Sequence, residues 1–226
     1  GSLIKSVKLM STLKVVTRWA TKKPVKPLVK QPTAKTSGKI KVMGIGASTG
    51  GPAALNYLLS RLPKNFPLPI LIVQHITFGF GAAFADWLNT ESSLPVFLAK
   101  QGQAIEPGQV YIAPDGYHLG VNSNGVIHLT NKKVNYNHHI PSVNYLFASL
   151  AKSYGHQSLG LLLTGMGDDG ALGLRLIREA GGRTFVQDEE SSVVFGMPKE
   201  AIRIGAAEKI VPLNTVWDQI FKVLNE

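Results

Sequence analysis

Short apolar runs alternate with longer amphipathic stretches along most of the chain, beginning near residue 40. Six apolar runs predict β-strands, at residues 40–44, 70–74, 110–113, 159–164, 184–187 and 209–211. Apolar residues at helical spacing predict helices at residues 52–61, 81–90, 141–154, 169–180 and 198–205. Most strand candidates are continuously apolar rather than alternating, which is typical of strands covered on both faces of a sheet.

The alternation of strands and helices predicts an α/β fold. We expect a doubly wound, mostly parallel sheet with helices on both faces, joined by right-handed crossovers. Residues 121–130 (VNSNGVIHLT) differ, because an Asn-Gly turn separates two short β-prone runs. This segment predicts a small antiparallel hairpin.

Charge divides the chain into two unequal parts. The formal net charge of +10 comes entirely from residues 1–39, which hold ten Lys and Arg and no acidic residue. Residues 40–226 hold fourteen basic and fourteen acidic residues. This larger part therefore lacks the positive excess of a nucleic-acid-binding domain, and we expect no nucleic-acid partner.

The basic segment predicts a linker. Residues 3–20 are amphipathic, and residues 21–38 contain three prolines and five lysines, which favours an extended, solvated chain. We interpret residues 1–39 as a basic interdomain linker, with Gly1 and Ser2 as a cloning scar, and residues 40–226 as one domain. A transit peptide or a membrane-surface helix is the alternative for the N-terminus.

Several classes of site are excluded by composition. The chain has no cysteine, so a disulfide framework, a thiolate metal site and a cysteine nucleophile are all ruled out. The histidines lack the i, i+4 spacing of a metal-binding helix, and we expect no metal and no cofactor. No apolar run approaches the roughly 18 residues of a membrane span, so we expect a protein that is not membrane-embedded. The absence of cysteine suits the cytoplasm.

Candidate catalytic groups follow three of the predicted strands. Ligands of open parallel sheets bind beyond the carboxyl ends of the strands. Ser48 follows the first strand, His75 follows the second, and Asp168 and Asp169 follow the strand at residues 159–164. A hydroxyl, an imidazole and a carboxylate form the set that activates a weak nucleophile. Spacing leaves open which aspartate acts, and whether one only caps the next helix.

The glycine-rich segment around Ser48 has competing interpretations. Residues 46–50 (GASTG) fit the G-x-S-x-G pattern of a nucleophile on a sharp turn, but Ser48 as a helix N-cap is an alternative. A dinucleotide- or phosphate-binding domain that uses the 44–51 loop is the alternative function. Two features oppose it: no acidic residue occurs between Gly44 and Asp86, and no lysine follows the glycines.

Among the histidines, only His75 directly follows a strand of the predicted parallel core. His138 and His139 fall in a polar, Asn-rich loop, and His128 falls in the hairpin. These positions predict surface or structural roles. For His118 we expect partial burial.

Six motifs occur in order over the larger part of the chain. They are IGASTGGP at 45–52, VQHI at 73–76, IAPDGYHL at 112–119, PSV at 141–143, LTGMGDDG at 163–170 and SSVVFGMP at 191–198. With them the chain resembles the catalytic domain of the chemotaxis protein-glutamate methylesterases, response regulators that demethylate chemoreceptors. The resemblance implies a doubly wound parallel sheet that carries a Ser–His–Asp triad.

The resemblance also implies a role for individual residues. Ser48 would be the nucleophile, His75 the general base and then acid, and Asp169 the orienting carboxylate. The family pattern TGMG-x-DG places Asp168 at the variable position. The Met166 backbone N–H is implied in the oxyanion hole, and Thr49 is implied as a support for His75.

The function implied by the resemblance is hydrolysis of glutamate γ-methyl esters with release of methanol, together with deamidation of glutamine in some members. The implied partners are the methylated cytoplasmic helices of chemoreceptors and a receiver domain that this chain does not contain. Ile140 and Asn144 stand where the family usually has Arg and Asp. We expect these departures to affect substrate positioning.

Overall fold

A computed structural model of the protein describes residues 40–132 and 139–226. The predicted linker at 1–39 and the predicted surface role of His138 lie outside the described residues. The strands are β1 (Val42–Ala47), β2 (Ile70–Gln74), β3 (Val96–Leu98), β4 (Val110–Ile112), β5 (His118–Val121), β6 (Ile127–Thr130), β7 (Ser158–Leu162), β8 (Arg183–Gln187) and β9 (Lys209–Val211). The helices are α1 (Gly51–Leu59), α2 (Gly81–Glu91), α3 (Val143–Tyr154), α4 (Ala171–Glu179), α5 (Met197–Arg203) and α6 (Val216–Leu224).

Seven strands form one sheet in the order β3-β4-β2-β1-β7-β8-β9, and every pair in it is parallel. From the central β1 the chain first builds outward through β2. It then returns across the sheet, through α3, to β7 on the other side of β1. The direction of winding therefore reverses between β1 and β7, which is where ligands bind in sheets of this type.

Helices cover both faces of the sheet, and each face has its own apolar core. Leu55 of α1 and Trp217 of α6 belong to the first core, with side chains of α2. Phe147 and Leu150 of α3 and Leu174 of α4 belong to the second core, with side chains of α5 and the hairpin. The predicted doubly wound α/β fold is therefore confirmed. No helix in the two described ranges is long and apolar enough to cross a membrane.

The hairpin prediction is also confirmed, with a longer first strand. β5 and β6 pair antiparallel with Val121 opposite Ile127. The Asn122 side chain accepts hydrogen bonds from the Asn124 and Val126 amides, both at 3.0 Å, and so closes the turn. β5 begins at His118, three residues before the predicted segment.

Two elements were not predicted from the sequence, and one strand was predicted too short. β3 is a three-residue strand at the sheet edge, and its apolar run was present in the sequence but was not used, although β9, equally short and at the opposite edge, was predicted. α6 buries Trp217, Ile220 and Phe221 on one face, so its helical spacing was present in the sequence but was not used. β1 continues to Ala47 rather than ending at residue 44, because it pairs with β2 over this whole length.

Two glycines of β1 allow α3 to lie unusually close to the sheet. A Cβ atom on Gly44 would lie 2.5 Å from Leu150 Cδ1, and one on Gly46 would overlap Val143 Cγ1. Both glycines are part of a buried strand rather than of a loop. Helix packing therefore accounts for them, which removes the main support for a dinucleotide-binding loop at residues 44–51.

We predict that Gly46→Ala destabilises the protein by about 1–3 kcal/mol, since the added methyl group forces Val143 away from the sheet. Urea unfolding monitored by tryptophan fluorescence measures the change. The double variant Gly46→Ala/Val143→Ala removes the clashing methyl groups, so its destabilisation should be smaller than the sum of the two single effects. Strictly additive effects would contradict this account of the packing.

Candidate active site

Three loops meet at the carboxyl edge of the sheet, following β1, β2 and β7. The His75 amide donates to the Ala47 carbonyl at 3.0 Å, and the Ser48 amide donates to the Thr164 carbonyl at 3.0 Å. The loop after β7 lies against Ser48, because a Cβ atom on Gly165 would lie 2.7 Å from Ser48 Cβ. Backbone contacts thus bring the three predicted strand ends together.

Ser48 lies half-buried in the sharp turn between β1 and α1. The N-cap of α1 is Gly50, with a left-handed backbone (φ 82°), and no side chain caps this helix. The N-cap interpretation of Ser48 is therefore wrong. Within residues 40–132 and 139–226 the Ser48 hydroxyl has no hydrogen-bond partner. In unliganded enzymes the nucleophile–base hydrogen bond is often long and shortens when substrate binds.

His75 and Asp169 are in direct contact. His75 Nε2 lies 2.8 Å from Asp169 Oδ2, and the two side chains are 12% and 2% exposed. Asp168, one residue earlier, is exposed. Asp169 does not cap its own helix either, since the N-cap of α4 is Gly170. The structure therefore pairs Asp169, and not Asp168, with the imidazole.

The Asp169 carboxylate lies at the N-terminus of α3. Its oxygens accept hydrogen bonds from the Val143 amide at 2.8 Å, the Asn144 amide at 2.9 Å and the Ser142 hydroxyl at 3.0 Å. Burial by itself would raise the pKa of Asp169, but the hydrogen bond and charge of His75 and the two amides outweigh it and lower the pKa below its usual value. A helix N-terminus favours negative charge for the same reason. Asp169 is therefore held as a carboxylate.

Asn144, in the first turn of α3, binds the N-terminus of α4 in a similar way. Its Oδ1 accepts hydrogen bonds from the Gly170 amide at 3.0 Å and the Gly173 amide at 2.7 Å, so it caps the start of α4. The side chain is 4% exposed. Asn144 thus faces the protein interior and does not itself present its side chain to a substrate. Its effect on substrate positioning stays a prediction. Ile140 is partly exposed and lies outside this network.

Met166 is exposed, but the turn that carries it is fixed by backbone hydrogen bonds to the start of α5. The Gly165 carbonyl accepts hydrogen bonds from the amides of Gly196 and Met197 at 3.1 and 2.9 Å. The Met166 N–H has no acceptor among the residues that the structure describes. This N–H directly follows Gly165, which packs against Ser48.

Thr49 is exposed, and its backbone is tied to the loop after β7. Its carbonyl accepts a hydrogen bond from Thr164 Oγ1 at 2.9 Å. No hydrogen bond joins the Thr49 side chain to His75 in the described parts of the chain.

His139 lies against the His75 ring, a contact that the sequence did not indicate. The two imidazoles stack with their centroids 4.5 Å apart and their planes at 22°. His139 is exposed, in agreement with its predicted surface position, yet it covers one face of His75. A polar loop carries no periodicity, so no sequence signal pointed to this contact.

Two further histidines lie in the hairpin strands. His118 is fully buried rather than partly buried, because it begins β5, and it stacks on Tyr145 with centroids 4.8 Å apart. Burial lowers the pKa of His118, although the charge of Asp169 opposes this effect. His128 Nε2 lies 2.9 Å from the Tyr145 hydroxyl, a structural contact as predicted.

Exposed apolar side chains border this edge of the sheet. They belong to the loops after β2, β4, β7 and β8 and to the segment before α3, and they are Phe78, Phe80, Tyr117, Ile140, Met166 and Val193. We call these six residues the apolar rim. Among the described residues, no group of three or more His, Asp and Glu side chains is placed to hold a metal ion.

The comparison with known proteins identifies the family. A model of the CheB methylesterase family matches residues 43–220. The chain belongs to the CheB methylesterase family. The catalytic domain of the CheB methylesterase of Thermotoga maritima has the same fold, with a TM-score of 0.77 and 38% identity, and the match covers 81% of this chain and 98% of that one. The resemblance stated from the six motifs is therefore confirmed.

Longer relatives in this family carry a double name. The protein-glutamate methylesterase/protein-glutamine glutaminase of Nitrosospira multiformis is 49% identical over 217 residues, which are 95% of this chain and 61% of the relative. A protein of the same name from Syntrophus aciditrophicus is 47% identical and is covered to the same 61%. The chain thus spans about three fifths of the length of the curated relatives it matches.

We predict that Asn144→Ala destabilises the protein by about 1–3 kcal/mol, because two buried amides at the start of α4 lose their acceptor. Asn144→Asp is the matched control, since its carboxylate keeps the acceptor position and is itself favoured at a helix N-terminus. Urea unfolding of both variants at pH 7 tests this. Equal destabilisation by the two substitutions would contradict the capping role.

Proposed function

We propose that the protein is a serine hydrolase that removes methyl groups from glutamate γ-methyl esters on chemoreceptors, and that it deamidates receptor glutamines by the same route. The observation that carries the proposal is the 2.8 Å contact between His75 and the buried Asp169, next to Ser48, in a chain of this family. The double name of the close relatives supports both activities.

In the first step, Ser48 Oγ attacks the γ-carbonyl carbon of the ester, and its proton passes to His75. Nε2 of His75 is engaged with Asp169, so Nδ1 is the nitrogen that takes the proton. The carbonyl π electrons move to the carbonyl oxygen, and the Met166 N–H donates to the resulting oxyanion. Asp169 stabilises the imidazolium and holds the ring in one orientation.

In the second step, the carbon–oxygen bond to the methoxy group breaks, and His75 returns the proton so that methanol leaves. Water then attacks the acyl group on Ser48, with His75 again taking a proton. The acyl bond to Ser48 then breaks, His75 returns the proton to Ser48 Oγ, and a glutamate side chain is released. With glutamine as substrate, ammonia leaves in place of methanol, so both activities need only one set of groups.

The surroundings of the site support a polypeptide substrate. The apolar rim borders the catalytic groups at the protein surface, where an amphipathic receptor helix can dock while it presents one side chain to Ser48. The methylated cytoplasmic helices of chemoreceptors are this substrate in our proposal, which places the reaction in the cytoplasm. Residues 1–39 would link the domain to a receiver domain.

Ser48→Ala tests the proposed function. We expect it to lower methanol release from methylated receptor membranes by about 10⁴–10⁶-fold, because no other group supplies the attacking oxygen. The variant should keep the wild-type circular dichroism and unfolding midpoint. Methanol release within tenfold of the wild-type rate by a folded Ser48→Ala protein would refute the mechanism.

The adjacent aspartates form a second, matched pair. Asp169→Asn should reduce turnover by about 10³–10⁴-fold, because an amide in that position spoils the tautomer and charge of His75. Asp168→Asn, at an exposed position, should stay within about threefold of wild type. A greater loss for Asp168→Asn than for Asp169→Asn would show that the wrong carboxylate has been assigned.

A further inference from the structure

Gln74 is the last residue of β2 and directly precedes His75, yet its side chain reaches back across the loops. It is 4% exposed. Its Nε2 donates one hydrogen bond to the Ser48 carbonyl at 2.9 Å and another to the His75 carbonyl at 2.8 Å. A single amide group therefore bridges the backbones of the nucleophile and the base.

The Gln74 amide joins the loops after β1 and β2 at a point beyond the last hydrogen bond between the two strands. The last backbone contact between them is the His75 amide bonded to the Ala47 carbonyl. Beyond this point the chain after β1 turns into α1, while the chain after β2 turns toward α2. Without the Gln74 amide, no side chain in the described residues would bond to both of these carbonyls.

The orientation of the Gln74 amide follows from its partners. Both partners are carbonyl oxygens, so only the NH₂ group can face them, and a flipped amide would place Oε1 against two acceptors. Oε1 is then buried with no hydrogen-bond partner in the described structure. It occupies the space that Gly51 leaves free, since a Cβ atom there would overlap Oε1. A buried acceptor without a partner is unfavourable. An apolar side chain of the same size would avoid this cost, so packing alone does not explain the amide at position 74.

We propose that Gln74 is a positioning residue that sets the distance between Ser48 and His75 by holding both backbone carbonyls with one amide. This inference rests on the proposed serine-hydrolase function. Displacements of about 1 Å between reacting groups can lower rates by about 10²-fold, so loss of the bridge should act on turnover.

The first test replaces Gln74 with methionine, which has similar length and no N–H. The assay is Ser48-dependent hydrolysis of 4-nitrophenyl acetate, taken as the wild-type rate minus the Ser48→Ala rate. We expect Gln74→Met to lower this rate 10–100-fold. Thr184→Val is the control, because it removes another buried hydrogen bond, from Thr184 Oγ1 to the Ala206 carbonyl at 2.7 Å, far from the catalytic loops. It should lose stability but keep its rate within threefold.

The second test separates hydrogen bonding from packing with Gln74→Glu. This variant keeps the side-chain shape, but its carboxyl group donates one hydrogen bond when protonated, in place of the two from the amide, and none when ionised. Burial raises the pKa of such a group. The rate of each variant is divided by the wild-type rate at the same pH. We expect this ratio to fall at least threefold from pH 6 to pH 9 for Gln74→Glu and to stay constant for Gln74→Met.

The outcomes distinguish the inference from the function on which it rests. A wild-type rate equal to that of Ser48→Ala would reject the serine-hydrolase function itself. A clear Ser48-dependent rate that Gln74→Met leaves within threefold would reject the bridge alone. If Gln74→Met does not fold, Gln74→Glu decides, and a rate ratio that does not change with pH would then overturn the positioning role.

Discussion

The burial of one carboxylate at a helix N-terminus organises the centre of this molecule. Asp169 accepts hydrogen bonds from two amides of the first turn of α3, from Ser142 and from His75, and it is almost completely removed from water. A buried charge without hydrogen-bond donors would be strongly unfavourable. The Asp169 carboxylate is stable there because these four donors compensate its loss of water. The same contacts join the loops after β2 and β7 to α3.

The fold delivers these donors through the close packing of α3 on β1. Glycine at position 46 leaves room for Val143, whose amide is one of the two that bind Asp169. Asn144, the next residue, caps α4 and thereby holds the segment that begins just after Asp169. Hydrogen bonds therefore hold the start of α3 and the start of α4 together. Both helix starts also hold the Asp169 carboxylate in its position against His75.

The site that results is open and lies at the surface. The apolar rim borders it, and an exposed imidazole, His139, covers part of His75. An open edge of this kind fits the helical substrate that we propose, because a helix can lie across it while it presents one side chain to Ser48. An open site does not itself hold the catalytic groups in place. Backbone contacts and the Gln74 amide between the two loops keep Ser48 and His75 at a fixed distance.

Local pattern alone was sufficient for the fold class and for the strand ends that meet at the candidate site. Continuous apolar strands between amphipathic helices predict a parallel sheet, and Ser48 and His75 stand at predicted strand ends, where such sheets bind ligands. β3 was missed although its three residues are all apolar, because so short an apolar run does not by itself distinguish a strand from a helix or a loop. The spacing of Asp168 and Asp169 could not separate them, and only the resemblance to the family favoured Asp169.

Only the tertiary structure showed what holds the site together. Gln74 looks like the end of an apolar strand in the sequence, Asn144 looks like a polar helix residue, and His139 looks like part of a loop. Each acquires its role from a partner distant in the sequence, on a chain segment that packing brings within 3 Å or into ring contact. Periodicity reports which face of an element is buried. It does not report which polar groups meet there, because that depends on how two elements approach each other.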